Sequence, residues 1–501
     1  MLIRCILTFV LHLLSCLNCH SHARDLAEGM TADTASQALQ NHDQRYSLWS
    51  GVGLLKNAIG QTCNAVLLDT RNRQGKAVGP AYVVTSGHCV YFSFGTATIN
   101  QAIEASVTFN YFHDTPAQQR TFRVKTALWS SMVGTDLALL EVDAPLASLI
   151  TEGITPLKLA SSASAGAREV INVGSPSGFR QKGLRMSVCQ ETSTNSFVEH
   201  PGVFPGALKN RCNDLQYGSS GSPMLDRTTN EVTSIVSKVA AVIKKDILNN
   251  CQNVSACEAA KFNYSYTPGD LHYCFVDGQF LNNTASCQLK PVDIVFEEPW
   301  KLNPYVHMQQ AEFGQNIRPS WNIRFSIHDP FYRFKAVRTV KECRFPSGYQ
   351  SATASTTGYI NQAIGPALGT YVLCIIGLQT RSESLTPALL HNVYTHSVFL
   401  TDPAPAPRIM LNYHVNWDDQ RSEFIHHYYF VDASDAATCP ANDDPRYALA
   451  NGTLNHEVTQ LPVTLCSFAR NSAGQPSAVR TDRIEKPSDL RPVATDLAVP
   501  Q

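Results

Sequence analysis

The sequence predicts an all-β protein built from several domains. Strand-length apolar runs with β-branched residues recur between turn residues, as in residues 61–68 (QTCNAVLL) and 233–239 (TSIVSKV). The C-terminal part also shows no long segment with helical periodicity. At 501 residues the chain has room for more than one hydrophobic core.

The first residues are typical of an export signal. MLIR precedes the apolar run CILTFVLHLLSCL, and residues 21–23 (SHA) form a small-x-small cleavage site, so we expect a signal peptide over residues 1–23. No later stretch reaches about 18 uncharged apolar residues, which predicts no transmembrane span and a secreted protein, extracellular or periplasmic. A bacterial lipoprotein box at residues 13–16 (LLSC), which would tether the chain through an acylated Cys16, is the alternative. Residues 24–48 form a polar lead or a short propeptide.

The cysteines fit an oxidising compartment. Of the fifteen, Cys5, Cys16 and Cys19 lie in the signal, which leaves an even set of twelve. No CxxC pair exists, so we expect disulfides and no metal site. Eight of the twelve form neighbouring pairs: Cys63 with Cys89, Cys189 with Cys212, Cys343 with Cys374, and Cys439 with Cys466. The pairing within Cys251, Cys257, Cys274 and Cys287 stays open.

The charge balance excludes one class of partner. The formal net charge is −1, and no extended run of like charges appears. A nucleic-acid-binding protein would show a basic patch, so we expect no nucleic-acid partner. We also expect no cofactor.

The C-terminal part is interpreted as two copies of one unit. Residues 401–407 (TDPAPAP) predict a stiff, extended linker, because proline restricts its own backbone and that of the preceding residue. The units on either side, residues 321–400 and 408–485, each carry a cysteine followed by an apolar strand with a second cysteine, GTYVLCIIGL and LPVTLCSFAR. We interpret them as two small β-sandwiches that resemble immunoglobulin-like or fibronectin-like modules in a general way. They are spacers or bind a surface or matrix ligand. Residues 486–501 form a tail.

Three short segments of the N-terminal half suggest nucleophilic catalysis. His88 lies in residues 85–90 (TSGHCV), and Asp136 heads the apolar strand of residues 134–142 (GTDLALLEV). A buried carboxylate in that position needs a hydrogen-bond partner, which an imidazole can supply. Ser220 lies in residues 216–225 (QYGSSGSPML), where the glycines allow a sharp turn that brings backbone N–H groups towards a substrate carbonyl.

The order His, Asp, Ser is the order of chymotrypsin-type proteases. The three segments resemble the signature segments of trypsin-like serine proteases, and the serine segment is most similar to the glutamyl endopeptidase and high-temperature-requirement branches. Residues 173–178 (VGSPSG) also resemble a glycine-proline turn of those branches. The resemblance covers residues 49–245 and implies two six-stranded antiparallel β-barrels with the active site between them. It also implies that the bridge from Cys63 to Cys89 holds the histidine loop.

This resemblance implies a role for each residue. Ser220 is the nucleophile, His88 the general base and then the general acid, and Asp136 orients the imidazole. The N–H groups of Gly218 and Ser220 form the oxyanion hole. Digestive relatives carry an acid before the nucleophile that pairs with a new N-terminus after zymogen cleavage. This chain has Ser219 there, so we expect no activation of that kind.

Substrate preference is less defined. Asp214 lies six residues before Ser220, where trypsin places the acid that binds Lys or Arg, but a similar acid in the glutamyl branch has a structural role. Ser237 is the second candidate for the specificity pocket, whereas His200 fits an exposed loop better. Residues 246–320 form a cysteine-rich extension or insertion that we expect to complete the second barrel.

The function predicted from these observations is that of a secreted serine endopeptidase that acts on proteins or peptides through an acyl-enzyme. A catalytically inactive scaffold that serves as an adhesin or binding protein is the alternative. An esterase is a third interpretation, since the same chemistry cleaves esters.

Overall fold

The computed structural model describes residues 25–161, 166–194, 196–199, 202–240, 261–284, 287–298, 302, 305–310, 315–407, 409–412, 414–417, 424–432, 438–450, 461–471 and 474–486. The predicted signal peptide, the acylation site at Cys16, Cys251, Cys257, His200 and nearly all of the predicted tail lie outside these residues. Within the described part, no helix is long and apolar enough to cross a membrane.

The first half of the chain begins with a closed six-stranded antiparallel barrel. The strands follow the ring order β2-β3-β4-β7-β6-β5, and pairing of β5 with β2 closes it. Their bounds are β2 Val52–Asn57, β3 Thr62–Leu67, β4 Pro80–Thr85, β5 Thr96–Phe109, β6 Arg120–Ser131 and β7 Leu137–Pro145. Helix α1 (Leu146–Thr151) follows β7.

Alternate residues of these strands face two different cores, which explains their continuous apolar character. On β4, Val83 lies in the core inside the barrel and Val84 in the core between the barrels. On β7, Leu140 lies in the core inside the barrel and Leu139 in the core between the barrels. Because side chains alternate across a strand, both faces must be apolar when both are buried.

The second closed barrel follows in the chain, with ring order β8-β9-β12-β15-β14-β13 and closure by pairing of β13 with β8. Its strands are β8 Arg168–Gly174, β9 Arg185–Ser193, β12 Leu208–Asn210, β13 Pro223–Asp226, β14 Val232–Lys238 and β15 Asn263–Tyr266. The predicted all-β double-barrel fold is confirmed. The sixth strand, β15, lies beyond the predicted domain boundary at residue 245, in the cysteine-rich stretch that we expected to complete this barrel.

The N-terminal lead packs against both barrels. Strand β1 (Gln37–Ala38) pairs with β9. The side chains of Ala27, Met30 and Leu39 are buried in the core between the barrels. Asp25 forms an ion pair with Arg227 at 2.7 Å, which fixes the start of the lead on the second barrel.

A two-sheet sandwich follows, and one of its sheets continues the sheet of the first barrel. One sheet runs from β5 through β20 (Val292–Phe296) and β24 (Ile323–Ile327) to β27 (Gly358–Ile360). The other sheet has the order β10-β11-β29-β28-β25-β26, with β21 parallel to β29. Its strands are β10 Ser196–Glu199, β11 Gly202–Pro205, β21 Tyr305–His307, β25 Phe331–Val337, β26 Thr353–Ala354, β28 Gly369–Leu378 and β29 Tyr394–Thr401. The sandwich thus extends beyond the predicted residues 321–400, since β20 and the hairpin β10-β11 belong to it.

The last part of the described chain is a four-stranded antiparallel sheet, β33-β32-β34-β35, with a separate hairpin of β30 and β31. The bounds are β30 Ile409–Asn412, β31 His414–Trp417, β32 Phe424–Asp432, β33 Ala448–Leu449, β34 Val463–Asn471 and β35 Arg480–Ile484. Cys374 and Cys466 lie on the middle strands β28 and β34 of the two C-terminal units. That both units are copies of one β-sandwich module stays a prediction.

Five disulfides lie within the described residues. They join Cys63 to Cys89, Cys189 to Cys212, Cys274 to Cys287, Cys343 to Cys374, and Cys439 to Cys466. Four of them link the neighbouring pairs, and the fifth settles half of the cluster that the sequence left open.

The remaining elements are short. They are the strands β16 Phe275–Val276, β17 Gln279–Phe280, β18 Asn283–Thr284, β19 Cys287–Gln288, β22 Gln309–Gln310 and β23 Asn316–Ile317, helix α2 (Pro387–Leu390), and the 3-10 turns Ser47–Trp49, Gly87–Cys89, Pro116–Gln118, Gly269–Cys274, Val340–Arg344 and Ser355–Thr357.

Candidate active site

His88 and Asp136 meet because their strands are neighbours. His88 lies on the 3-10 turn that follows β4, and Asp136 directly precedes β7. Strands β4 and β7 pair up to Thr85 and Ala138, so the two segments leave the sheet side by side. The Nδ1 atom of His88 is 2.7 Å from Oδ2 of Asp136, and the backbone N–H of His88 donates to Oδ1 at 2.8 Å.

This contact fixes the proton arrangement of the imidazole. An ionised carboxylate can only accept hydrogen bonds, so Nδ1 of His88 carries the proton. The Nε2 atom of the neutral ring is then an acceptor that can take a proton from a nucleophile.

Asp136 is a buried carboxylate whose pKa is held low. Burial on its own would raise the pKa of this carboxyl, but the His88 ring and the hydrogen bonds from His88 and Ser237 outweigh that effect. The pKa therefore lies below its ordinary value, and Asp136 is ionised at neutral pH. Only 3% of the residue is exposed, which keeps water from replacing these donors.

Ser237 connects the pair of His88 and Asp136, called the dyad below, to Ser220. Its hydroxyl donates to Oδ2 of Asp136, the same oxygen that accepts from His88. Its carbonyl oxygen accepts a hydrogen bond from the hydroxyl of Ser220 at 3.3 Å. Ser237 was expected to line the specificity pocket, but its hydroxyl is directed at the aspartate. No local sequence pattern signals this contact.

Ser220 lies in a tight turn that precedes β13. The N–H of Ser219 donates to the carbonyl of Gln216 at 2.9 Å, and its hydroxyl accepts from the N–H of Gln216 at 3.0 Å. Gly221 follows with φ of 81°, and a Cβ there would lie 1.9 Å from the carbonyl oxygen of Asn64, so only glycine fits. Hydrogen bonds of Ser219 thus shape the turn without an acid at that position.

The backbone donors of the turn are available to a ligand. Among the hydrogen bonds of the described residues, the N–H groups of Gly218 and Ser220 donate to no protein acceptor. The neighbouring N–H groups are paired, since Ser219 donates to Gln216 and Gly221 to Val236. Two N–H groups without acceptors beside a serine hydroxyl suit a developing oxyanion.

Asp214 contacts the lead. Its Oδ2 atom accepts the backbone N–H of Ser36 at 2.9 Å, and the neighbouring Asn213 amide donates to the carbonyl oxygens of Ala32 and Thr34 at 3.0 and 3.1 Å. The carboxylate predicted as a specificity determinant therefore already has one backbone donor.

Two exposed aromatic rings lie near His88 and Ser220, and the sequence predicted neither. Phe92 is 60% exposed, and its ring centroid lies 6.4 Å from that of His88. Tyr217 directly precedes Gly218 and is 68% exposed. Their faces can contact apolar parts of a bound chain.

One group of metal-binding atom types lies at the site. A side-chain atom of His88 and the sulfur atoms of Cys63 and Cys89 lie within 4.8 Å of one another. Both sulfurs are consumed in the disulfide, however, so this group supplies no thiolate ligand.

Comparison with known proteins identifies one domain. Residues 65–235 match the family model described as a trypsin-like peptidase domain. No curated protein matches the chain.

Similar solved structures include three that are described as proteases or endopeptidases. They are the thermostable serine protease AL20 from an extremophilic microorganism, a Glu endopeptidase in complex with MPD, and the protease Anisep from Arthrobacter nicotinovorans. Their sequence identities are 14%, 13% and 17%, and their TM-scores are 0.31, 0.30 and 0.31, respectively. The matches cover 44%, 48% and 44% of this chain and 92%, 93% and 90% of the other chains.

Proposed function

We propose that His88, Asp136 and Ser220 form the catalytic triad of an active, exported serine endopeptidase, in keeping with the match of residues 65–235 to a trypsin-like peptidase domain. The observation that carries this proposal is the hydrogen bond of 2.7 Å between Nδ1 of His88 and the buried carboxylate of Asp136. It leaves Nε2 as the base. Ser237 accepts from Ser220 and donates to Asp136, so the nucleophile and the dyad converge on one residue.

The first half of the reaction forms an acyl-enzyme. The Ser220 hydroxyl rotates from the Ser237 carbonyl towards Nε2 of His88, and its oxygen bonds to the substrate carbonyl carbon as the proton moves to the imidazole. The carbonyl oxygen becomes negative and accepts from the N–H groups of Gly218 and Ser220. His88 then gives the proton to the leaving nitrogen, the C–N bond breaks, and the amine product departs.

Water completes the cycle. It attacks the ester carbon and gives a proton to His88, and His88 returns a proton to the Ser220 oxygen as the acid product leaves. Asp136 stabilises the imidazolium in both halves and stays ionised, which its lowered pKa favours.

The disulfides support export. Five disulfides in the described chain fit an oxidising compartment, since such bonds seldom persist in the cytosol. Cleavage of the signal peptide after residue 23 is part of the same proposal.

Hydrolysis of an unfolded protein tests the proposal. The oxidised, purified full chain is incubated with reduced, alkylated casein, and the peptides are identified by mass spectrometry. We expect cleavage by the parent and none above background by Ser220→Ala. Equal cleavage by both would assign the activity to a contaminant or to another residue, and no cleavage by either would favour the binding scaffold.

A further inference from the structure

Asn64 joins the first barrel to the turn of the second barrel that carries the nucleophile. It lies on β3 beside Cys63 and is fully buried. Its Nδ2 atom donates to the carbonyl oxygen of Gly218 at 2.6 Å, and its Oδ1 atom accepts the N–H of Ser175 at 2.8 Å. Both ends of the amide thus bind the second barrel.

We propose that Asn64 is a positioning residue that holds the oxyanion hole in its working shape. This inference rests on the function proposed above. The carbonyl of Gly218 belongs to the peptide unit that lies between the two donors, the N–H groups of Gly218 and Ser220. A hydrogen bond that fixes the plane of this unit fixes the angle between those donors, so both converge on one oxygen.

The backbone of Asn64 also binds the turn that carries Ser220. Its N–H donates to the carbonyl of Ser220 at 2.7 Å, and its own carbonyl accepts the hydroxyl of Thr85 at 2.7 Å. The peptide units on both sides of Ser219 and Ser220 are therefore bound to one residue of β3. The first barrel supplies His88 and Asp136, so the contacts of Asn64 also fix the position of Ser220 relative to these two residues.

This arrangement explains how the turn can be ordered with Ser219 before the nucleophile. The Ser219 hydroxyl accepts from the backbone N–H of Gln216 within the turn, and it contacts no charged side chain of the described residues. The rigid support comes instead from Asn64 across the barrel interface. No new N-terminus is required, because Asn64 is in place as soon as both barrels have folded.

An asparagine suits this position in a way that its closest analogues do not. Aspartate keeps the oxygen that accepts from Ser175 but replaces the donor facing Gly218 with an ionised oxygen that repels the carbonyl. Serine is too short for both bonds and leaves a buried acceptor and a buried donor unpaired. Both changes disturb the oxyanion peptide and leave His88, Asp136 and Ser220 intact.

The test compares the parent with Asn64→Asp and Asn64→Ser. The control is Asn471→Asp, which alters a buried asparagine of β34 whose amide donates to Gln475 at 3.0 Å, far along the chain from the site. The rate of Ser220 labelling by a fluorophosphonate and the kcat and KM for p-nitrophenyl acetate are measured. For both Asn64 variants we expect kcat and labelling to fall about 10- to 1000-fold with KM unchanged, as for loss of an oxyanion donor, and no change for Asn471→Asp.

The pH dependence separates positioning from general damage. A protonated aspartic acid at position 64 can donate to Gly218, whereas its carboxylate cannot. The ratio of kcat for Asn64→Asp to kcat for the parent, measured at each pH, should therefore rise as the pH falls. A fold defect caused by the buried carboxylate would instead show as a lowered midpoint of thermal unfolding that recovers together with the ratio as the pH falls.

The outcomes distinguish the two proposals. A parent that the fluorophosphonate does not label would overturn the proposed function. A labelled parent with Asn64 variants that react at the parent rate would overturn only the role of Asn64. If Asn64→Asp does not fold, which thermal unfolding shows, Asn64→Ser decides: a lowered kcat with unchanged KM supports the inference, and unchanged kcat contradicts it.

Discussion

The backbone N–H of Ser36 donates to the carboxylate of Asp214 at 2.9 Å, which ties the N-terminal lead to a residue six positions before Ser220. The same serine accepts from Arg185, whose guanidinium donates to the Ser36 hydroxyl at 2.9 Å and to its carbonyl at 2.7 Å. The lead is thus bound to the second barrel by its backbone as well as by its buried side chains.

Deletion of residues 25–36 should therefore destabilise the protease half. Burial of Met30 alone contributes about 2 kcal/mol, and the deletion also leaves Asp214 and Arg227 without these partners. We expect a lower midpoint of thermal unfolding and lower peptidase activity. N-terminal sequencing of the active secreted enzyme gives an independent check: a start beyond residue 38 would show that the lead is a removable propeptide.

The loop that carries Asp136 is packed against the sandwich. Gly134 has φ of 64°, and a Cβ there would lie 2.8 Å from the carbonyl oxygen of His391. Val133, the preceding residue, lies in the core of the sandwich. The sandwich thus supports the loop of the proposed orienting acid.

Gly134→Ala should lower kcat, because relief of this clash moves a loop that ends at Asp136. Gly153→Ala is the matched control, since Gly153 has φ of 81° and a Cβ added there would meet no atom within 4 Å. The free energy of unfolding of the control should fall only by the conformational cost of an alanine in the left-handed region, about 1–2 kcal/mol. We expect a larger loss of unfolding free energy and at least tenfold lower kcat for Gly134→Ala. Equal effects of the two changes would mean that the sandwich does not hold the loop.

Removal of the Ser237 hydroxyl tests its link to the triad. Ser237→Ala takes one donor from Asp136, so the carboxylate is less well held and its pKa rises. Hydrogen bonds to charged groups are worth about 1.5–3 kcal/mol. Part of this free energy should appear as a roughly tenfold lower kcat. The acid limb of the pH profile should also shift to higher pH, because Asp136 becomes protonated at a higher pH than in the parent.

Ser234→Ala is the control for this change. Ser234 lies on the same strand, and its hydroxyl donates to another buried carboxylate, that of Glu191, at 2.5 Å. We expect a comparable loss of stability with an unchanged pH profile. A profile that shifts equally in both variants would contradict a specific role for Ser237.

A histidine of the last sheet should make that unit sensitive to acid. Burial, aided by the neighbouring His426, lowers the pKa of His427 from its ordinary 6.5 to about 4. The unfolded chain then binds a proton that the folded chain does not, so the free energy of unfolding falls as the pH drops from 6.5 towards 4 and levels off below that.

Titration of the His427 ring by NMR checks this expectation directly. We expect a midpoint near pH 4, and His427→Gln should flatten the acid limb of stability against pH for the last sheet. A midpoint near 6.5 would show that the ring is hydrated and carries no such penalty.

The sequence predicted those features that depend on short local patterns. His88, Asp136 and Ser220 each lie within a segment of about ten residues whose glycines and apolar strand identify it. The strands themselves follow from strand-length apolar runs between turn residues. The neighbouring cysteine pairs are equally local.

Contacts between distant parts of the chain could not be predicted in this way. Asn64 lies 154 positions from Gly218 and 111 from Ser175, and nothing beside it in the sequence marks its role. The sequence predicts Ser237 as a pocket residue, whereas its contact with Asp136 joins residues 101 positions apart and has no local signal. The sheet shared by the first barrel and the sandwich likewise depends on the pairing of β5 with β20, which only the folded chain establishes.

The most direct measurement of the central claim is to map the adduct of a fluorophosphonate on the oxidised, full-length protein. The probe forms a bond from phosphorus to an activated serine oxygen, fluoride leaves, and the proton passes to the base. We predict one adduct on the peptide that contains Ser220, and its loss in His88→Ala as well as in Ser220→Ala. An unlabelled parent, or an adduct on another serine, would contradict the proposed triad.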